Sequence, residues 1–381
     1  MEKFSLTDIK KKNVTDVYHY IYDNPLCSKQ QIANSLSMSL PTVTQHLNNL
    51  TEMELIEESG KISSSIGRKA AAYSAVSTAK LAIGIDISRH AVSMAVLDLY
   101  GKQFFFDSRA MEYKSDTDSY LDQLADYVKE QLREHDLPLT RILGIGLSVQ
   151  GLISSDGQEI VYGVILDNTG LRIDRFREHF SIPCCLLHDS ECAARKELWD
   201  NPELRNAIYL NLSQHLGGAI ILHGDIQHGI YGRSGTFEHM TLEPGGKKCY
   251  CGKRGCVDPY LCAAALTEDK ITLEEFFREK SNPDSPFYTE YQTRWGRYLG
   301  WLGLFLNNLH MIFDTIIVLG GSIPTFFTES DLEEIRKIVY EFSTFRDETT
   351  FIQLQRTDVG IRSTSHGAAC MFIENFLMNQ L

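Results

Sequence analysis

The 381-residue chain contains no run of about 18 apolar residues, so no membrane-spanning helix is expected. Its first residues, MEKFSLTDIKKKN, lack the apolar core of about 7–15 residues that a secretory signal needs, which points to a cytoplasmic protein. Basic charge is in short supply: 37 Lys plus Arg stand against 50 Asp plus Glu, a net charge of −13. A surface so acidic excludes a protein that coats nucleic acid or anionic membrane with its whole face. Disorder and fibrous structure are excluded by 43% hydrophobic and 23% charged residues. The length exceeds one ordinary core, so two or three domains are expected. The shortage of positive charge is uneven. Residues 1–78 carry eight basic and eight acidic side chains, so the remainder holds the entire −13. Any contact with DNA therefore falls to the first fifth of the chain.

That first fifth has the pattern of a DNA reader. Ile9, Val14, Val17, Tyr18 and Ile21 recur at helical spacing until Asn24-Pro25 breaks the helix. Ser28 and Gln31 have capping-box spacing at the start of SKQQIANSL. After the turn Ser37-Met38-Ser39, Ser39 is placed to cap LPTVTQHLNNLTEM, with Pro41 in its first turn and Val43, Leu47 and Leu50 on one face. Helix, short turn and capped helix form a helix-turn-helix. Ser39, Thr42, Thr44, Gln45, Asn48 and Asn49 line the polar side, where Gln and Asn can pair bidentately with adenine. Leu55-Ile56 reads as a strand, SGKISSSIGRK as a loop and AAAYSAV as a return strand, which together make a wing carrying Arg68 and Lys69 toward phosphate or a minor groove. A winged helix-turn-helix over residues 1–78 is the expectation.

Residues 79–381 read as a larger body. LAIGIDISRHAVSMAVLDLY gives two strands, FFFDSRAM a third, SYLDQLADYVKEQLRE a helix and ILGIGLSVQG a buried strand entering a glycine turn. CCLLHDSECAARKELW is a strand running into a helix, and AIYLNLS, GGAIILHGDI and TIIVLGGSI follow as further strands. Antiparallel strands followed by alternating strand and helix, given twice, suggest a two-lobed α/β protein with a central cleft.

Three segments make a resemblance specific. EHMTLEPGGKKCYCGKRGCVD resembles the signature of the ROK family (repressors, open reading frames and sugar kinases), in which a His precedes a CxCGxxGC run closed by an acidic residue. NNLHMIFDTIIVLGGSI resembles the family's late helix–strand–Gly-Gly segment, and LAIGIDIS its opening strands. The resemblance covers the whole chain. It implies an actin-like, ribonuclease H-like sugar-kinase body of two lobes, one about 79–189 plus the C-terminal helix, the other about 190–364. A winged helix ahead of such a body is similar to the family's repressor branch, the xylose, N-acetylglucosamine and glucose-uptake regulators.

The nine cysteines are an odd number and cluster, Cys184, Cys185 and Cys192 in one group and Cys249, Cys251, Cys256 and Cys262 in another, which suits a metal site better than a disulfide framework. His239, Cys249, Cys251 and Cys256 offer one imidazole and three thiolates, a closed set for structural zinc. Gly252 and Gly255 allow the tight turn between Cys251 and Cys256, while Cys262 falls outside the set and belongs to the core.

The resemblance also implies a sugar site, altered here. The family's Asn-Asp pair corresponds to His188-Asp189, the ExxH glutamate to Thr236 with His239 kept, and the closing Glu to Asp258. Glu238 is expected to supply a carboxylate from a shifted place. His188, Asp189, Glu238, His239 and Asp258 are therefore the expected sugar contacts, by charge-assisted hydrogen bonds to hydroxyls. The family's phosphate turns read Ser88-Arg89-His90 and Ser213-Gln214-His215-Leu216-Gly217, whose side chains should obstruct ATP. Asp189 holds the place of the catalytic base, and a base without a phosphoryl donor has nothing to catalyse. The expectation is a sugar-responsive repressor with an inactive kinase site, binding operator DNA as a homodimer or homotetramer. The alternatives are an ATP-dependent sugar kinase with an appended DNA-binding domain, and a zinc or thiol redox sensor.

Overall fold

A computed structural model describes residues 6–62, 70–114, 118–345, 352–357 and 362–379, and the account below concerns these. Helix α1 (Leu6–Asp23) is followed by the short strand β1 (Cys27–Ser28), α2 (Lys29–Ser35) and α3 (Leu40–Glu52). Strands β2 (Ile56–Ile62) and β3 (Ala70–Ala75) complete a sheet in the order β1-β3-β2. Short-range chemistry sets the helix starts. Ser28 and Gln31 form the reciprocal capping box, and the Ser39 hydroxyl accepts from the Thr42 N–H. Each such cap stabilises a helix by about 1 kcal/mol. β2 runs further than the sequence suggested, because a bulge between Glu58 and Gly60 lets pairing continue to Ile62. Arg68 and Lys69 lie outside the described residues.

The body repeats one theme. Strands β4 (Leu81–Ile87), β5 (Ala91–Asp98) and β6 (Gln103–Ala110) are antiparallel; α4 (Asp118–Glu134) then leads to β7 (Ile142–Val149). The hairpin β8 (Leu152–Ile153) and β9 (Ile160–Tyr162) and helix α5 (Ile173–Arg177) precede β10 (Cys184–His188), and the sheet order is β10-β7-β4-β5-β6. Helix α6 (Asp189–Asp200) crosses to the second sheet, where β11 (Ala207–Leu212), β12 (Leu216–Leu222) and β13 (Asp225–Ile226) are again antiparallel. Helices α7 (Asp258–Leu261), α8 (Ala264–Thr267), α9 (Leu273–Lys280) and α10 (Tyr288–His310) lead to β14 (Ile316–Gly320). After α11 (Glu329–Phe342) comes β15 (Leu354–Arg356), giving the order β13-β12-β11-β14-β15. In both sheets the first strand is central, antiparallel to its successor on one side and parallel to a later strand on the other. The carboxyl ends of β7, β10 and β11 carry loops that meet in the cleft, where open α/β sheets bind ligands.

The last helix, α12 (Ser363–Asn379), lies against β4, β5, β7 and α6. Its Gly367 approaches α6 so closely that a Cβ would sit 1.7 Å from the Cys192 carbonyl oxygen, so the two helices touch backbone to backbone. The other end of α12 meets the head. Val17, Tyr18 and Ile21 share one buried cluster with Leu97, Leu99, Ile373 and Phe376. Tyr22 stacks on Tyr100 at 4.2 Å and donates to the Leu99 carbonyl at 2.7 Å, and His19 Nε2 meets the Leu377 carbonyl at 2.7 Å. No helix among the described residues is long and apolar enough to cross a membrane.

Candidate ligand pocket, metal corner and DNA-reading helix

On α3 the buried Val43, His46, Leu47 and Leu50 turn the opposite face to solvent. Three of the expected DNA contacts, Ser39, Thr42 and Thr44, are engaged locally. The Thr42 hydroxyl lies 2.7 Å from that of Ser39, and Thr44 Oγ1 donates to the Leu40 carbonyl at 2.7 Å. Gln45, Asn48 and Asn49 are exposed, and their amides are the long polar groups of that face.

The metal corner forms where the turn at Phe237–His239 faces the cysteine loop. The ligand atoms of His239, Cys249, Cys251 and Cys256 all lie within 4.8 Å of one another. Cys251 Sγ is 3.7 Å from Cys256 Sγ, and Cys249 Sγ is 3.9 Å from His239 Nδ1. Two sulfurs bound to one tetrahedral zinc at about 2.3 Å would stand about 3.8 Å apart, so the donors fit that ion. Gly255 shapes the loop: its φ is +87°, and a Cβ would meet the Glu243 carbonyl oxygen at 1.9 Å. Cys262 is buried outside the set, and burial pushes its thiol up to about 11.

The pocket between the sheets encloses about 610 Å³, its open mouth included. His188, Asp189 and Glu238 line it as the sequence suggested; Asp258 and His239 do not. Asp189 begins α6, and its Oδ1 accepts from the Ser190 N–H at 2.8 Å, with His188 Nε2 3.6 Å away. Glu238 is only 7% exposed, and its Oε2 has no hydrogen-bond partner among the described residues. Burial, then the charges of Asp189 and Asp258, push its carboxyl up to about 8. Thr236, in the place of the family's glutamate, turns away and donates to the Arg233 carbonyl at 3.0 Å. The expectation for Asp258 needs correction. Its Oδ1 accepts from the Leu216 N–H at 2.9 Å and lies 3.4 Å from His215 Nδ1, so this shorter carboxylate buttresses the turn after β11 from behind. His239 is likewise set back, edge-on to Tyr162 and Tyr250, with Nε2 3.8 Å from Glu238. The half-buried Asp86 accepts from Ser148 Oγ at 2.9 Å; desolvation and then the charge of Asp189 push it up to about 7.

At the two turns that the resemblance assigns to phosphate, several polar groups are engaged locally. Arg89 donates to the Ile165 carbonyl, His90 pairs with Glu112 at 2.8 Å, and Ser88 Oγ donates to the Ala91 carbonyl at 2.9 Å. In the second turn the Leu216 N–H is taken by Asp258, and the Ser322 N–H after Gly320-Gly321 by Ser213 Oγ at 3.0 Å. Sequence reasoning missed part of the lining: Gln150, Tyr162, Val164, Ile165 and Tyr250. The glycine turn at the end of ILGIGLSVQG was the one available signal for Gln150.

Comparison with known proteins places these features. The xylose repressor of Bacillus spizizenii is 26% identical over 381 aligned residues, covering 97% of each chain. A crystal structure of a ROK family transcriptional regulator, homologous to the Escherichia coli MLC protein, superposes with a TM-score of 0.77 at 18% identity, covering 97% of this chain and 96% of that one. A ROK family glucokinase from Streptomyces griseus, in complex with glucose and AMPPNP, superposes with a TM-score of 0.64 at 21% identity over 76% of this chain and 98% of its own. Residues 12–57 match the winged helix-turn-helix DNA-binding model. Residues 82–375, which include both sheets but for Leu81, and most of α12, match the ROK model, and the chain belongs to the ROK family.

Proposed function

We propose that the protein is a sugar-responsive, DNA-binding transcriptional regulator, a repressor of carbohydrate genes whose kinase site is inactive. One observation carries this reading. In the second phosphate turn the Leu216 N–H is held by Asp258 and the Ser213 hydroxyl is engaged by the Ser322 N–H, while a pocket lined by Asp189 and Glu238 remains open beside them. The head (1–78) reads operator DNA with Gln45, Asn48 and Asn49 and the cap residues Ser39, Thr42 and Thr44, and Arg68 and Lys69 reach the backbone. The body (79–381) binds a sugar and a structural zinc ion at His239, Cys249, Cys251 and Cys256. A zinc ion closed in by four protein ligands fixes the loop and leaves no place for water, so it supplies no catalysis. Paired heads on a near-palindromic site imply a homodimer or homotetramer in the cytoplasm. The sugar acts by preferring one arrangement of the lobes, and through α6 and α12 one position of the head.

The test is binding of the full chain to an operator selected from random duplex DNA, followed by fluorescence anisotropy at two salt concentrations. Thr42→Ala with Gln45→Ala should weaken specific binding at least tenfold and leave non-specific binding nearly unchanged. Equal loss in both overturns the recognition helix. Sugar-dependent ATP turnover that Asp189→Asn abolishes overturns the inactive-kinase reading.

A further inference from the structure

A second cavity adjoins the pocket between the sheets. It encloses about 1130 Å³, its open mouth included, and is walled by the cysteine loop, α7, α8 and α10. Its charge runs against that of the molecule. The chain carries −13 overall, yet Lys247 and Lys248 from the loop and Arg294 and Arg297 from α10 converge on this one hollow. The two carboxylates of its lining are committed. Asp258 Oδ1 holds the Leu216 N–H, and Glu268 pairs with Arg294 at 2.9 Å and with Lys270 at 2.8 Å. Lys247 is fixed in place, its backbone N–H donating to the Tyr260 hydroxyl at 2.7 Å and its Nζ to the Pro259 carbonyl at 3.0 Å. The side chains of Lys248 and Arg297 have no hydrogen-bond or ion-pair partner among the described residues. An unpaired cation is ordinary on an open surface. Gathered in one hollow, such groups repel one another until an anion enters. Arg294, Arg297 and Trp301 follow helical spacing on α10, and the Trp301 ring packs on Tyr260 at 4.8 Å, so an aromatic wall stands beside the cations.

We infer that this cavity is a second effector site, separate from the cleft, for a small phosphate monoester whose anionic head lies between Lys248 and Arg297 and whose organic part rests on Tyr260 and Trp301. Phosphate carries close to two charges at neutral pH and offers three acceptor oxygens, which suits an Arg fork and Lys ammonium groups acting together. The site shares a wall with the cleft. His215 and Tyr250 line both cavities, their rings 5.1 Å apart, and Tyr250 lies two residues beyond Lys248. An anion that draws the loop toward itself shifts that wall, and with it the operator affinity that the cleft controls. The site stands without the sugar-responsive reading; the coupling rests on it.

The experiment is calorimetric titration of the zinc-loaded full chain with D-glucose 6-phosphate, glycerol 3-phosphate and AMP, each beside its dephosphorylated counterpart, and with inorganic phosphate alone. At least one ester should bind at least tenfold more tightly than inorganic phosphate. Lys248→Ala and Arg297→Ala should each weaken it at least tenfold, with zinc content and binding of the dephosphorylated counterpart unchanged. Lys253→Ala, a charge of the same loop outside the cavity lining, should change it less than threefold. Binding of no ester overturns the site, and so does an equal loss in Lys253→Ala, which marks unspecific attraction. Unchanged affinity in both Lys248→Ala and Arg297→Ala places the ester elsewhere and overturns it too. Inorganic phosphate binding as tightly as every ester removes the aromatic wall from recognition and overturns the ester assignment. Random duplex DNA that displaces the ester, and is itself weakened by Arg297→Ala, assigns the patch to nucleic acid instead. In fluorescence anisotropy the bound ester should change operator affinity at least fivefold. An ester that binds without that change overturns the coupling and leaves the site.

Discussion

The metal corner and the ligand pocket share a neighbour in His239 and Glu238, adjacent in the chain, yet they are built in opposite ways. The corner draws its four donors from 18 residues of sequence and closes them on one another within 4.8 Å. The pocket gathers Gln150, Tyr162, Asp189, His215 and Glu238 from five separate segments and leaves Glu238 Oε2 unpaired. The first arrangement has its interactions satisfied from within; the second keeps polar groups waiting for a partner. A closed set of donors holds shape, and an open one can report on what enters.

Substitutions that separate the two regions test this contrast. The largest effect is expected from Cys249→Ser, which removes a buried donor: bound zinc, measured by elemental analysis, should fall from one per chain to none. Thermal denaturation should show a loss of several kcal/mol, since structural zinc contributes folding free energy directly. Wild-type protein without zinc, or a variant of undiminished stability, would break the contrast. Next is Asp86→Asn under the pocket. The folded chain keeps the Asp86 proton to about 7, whereas the unfolded chain, at the ordinary value of 3.8, has lost it. Folding stability therefore falls as pH rises between about 4 and about 7. Asparagine should remove that penalty, stabilising the protein by about 2–4 kcal/mol at pH 8 and by nothing near pH 3. Equal effects at both pH values would show that the group does not titrate as described. The smallest change is expected from Asp258→Ala, which leaves the Leu216 N–H without its acceptor and should cost about 1–3 kcal/mol. Zinc should stay bound, because Asp258 braces the pocket's turn and ligates no metal; zinc loss would join the two regions into one.

What could be read in the sequence follows the same division. The caps at Ser28 and Ser39, the cysteine loop and both strand–helix repeats are encoded within a few residues of each other, so spacing alone predicts them. Position-by-position correspondence pointed to Asp189 and to Thr236, with Glu238 expected from a shifted place; of these, Asp189 and Glu238 line the pocket. It misplaced Asp258, because whether a carboxylate faces a ligand or the backbone behind it depends on its reach. One methylene shorter than the family's Glu, it meets the Leu216 N–H instead. Val164, Ile165 and Tyr250 went unread since nothing near them in the chain shows that three loops converge. The engaged N–H groups of the phosphate turns are a tertiary fact of the same kind. Bulky residues at those turns suggested obstruction; in the structure the Leu216 and Ser322 N–H groups are hydrogen-bonded to Asp258 and Ser213.

The contact between His19 and the Leu377 carbonyl joins residues 358 apart in the chain. During synthesis the head emerges well before Ile373 and Phe376, which share its buried cluster. A chain cut short before α12 therefore carries a head with its cap and helices in place but no seat on the body. Such a fragment would keep the exposed face of α3 and lose the contact that ties the head to the body.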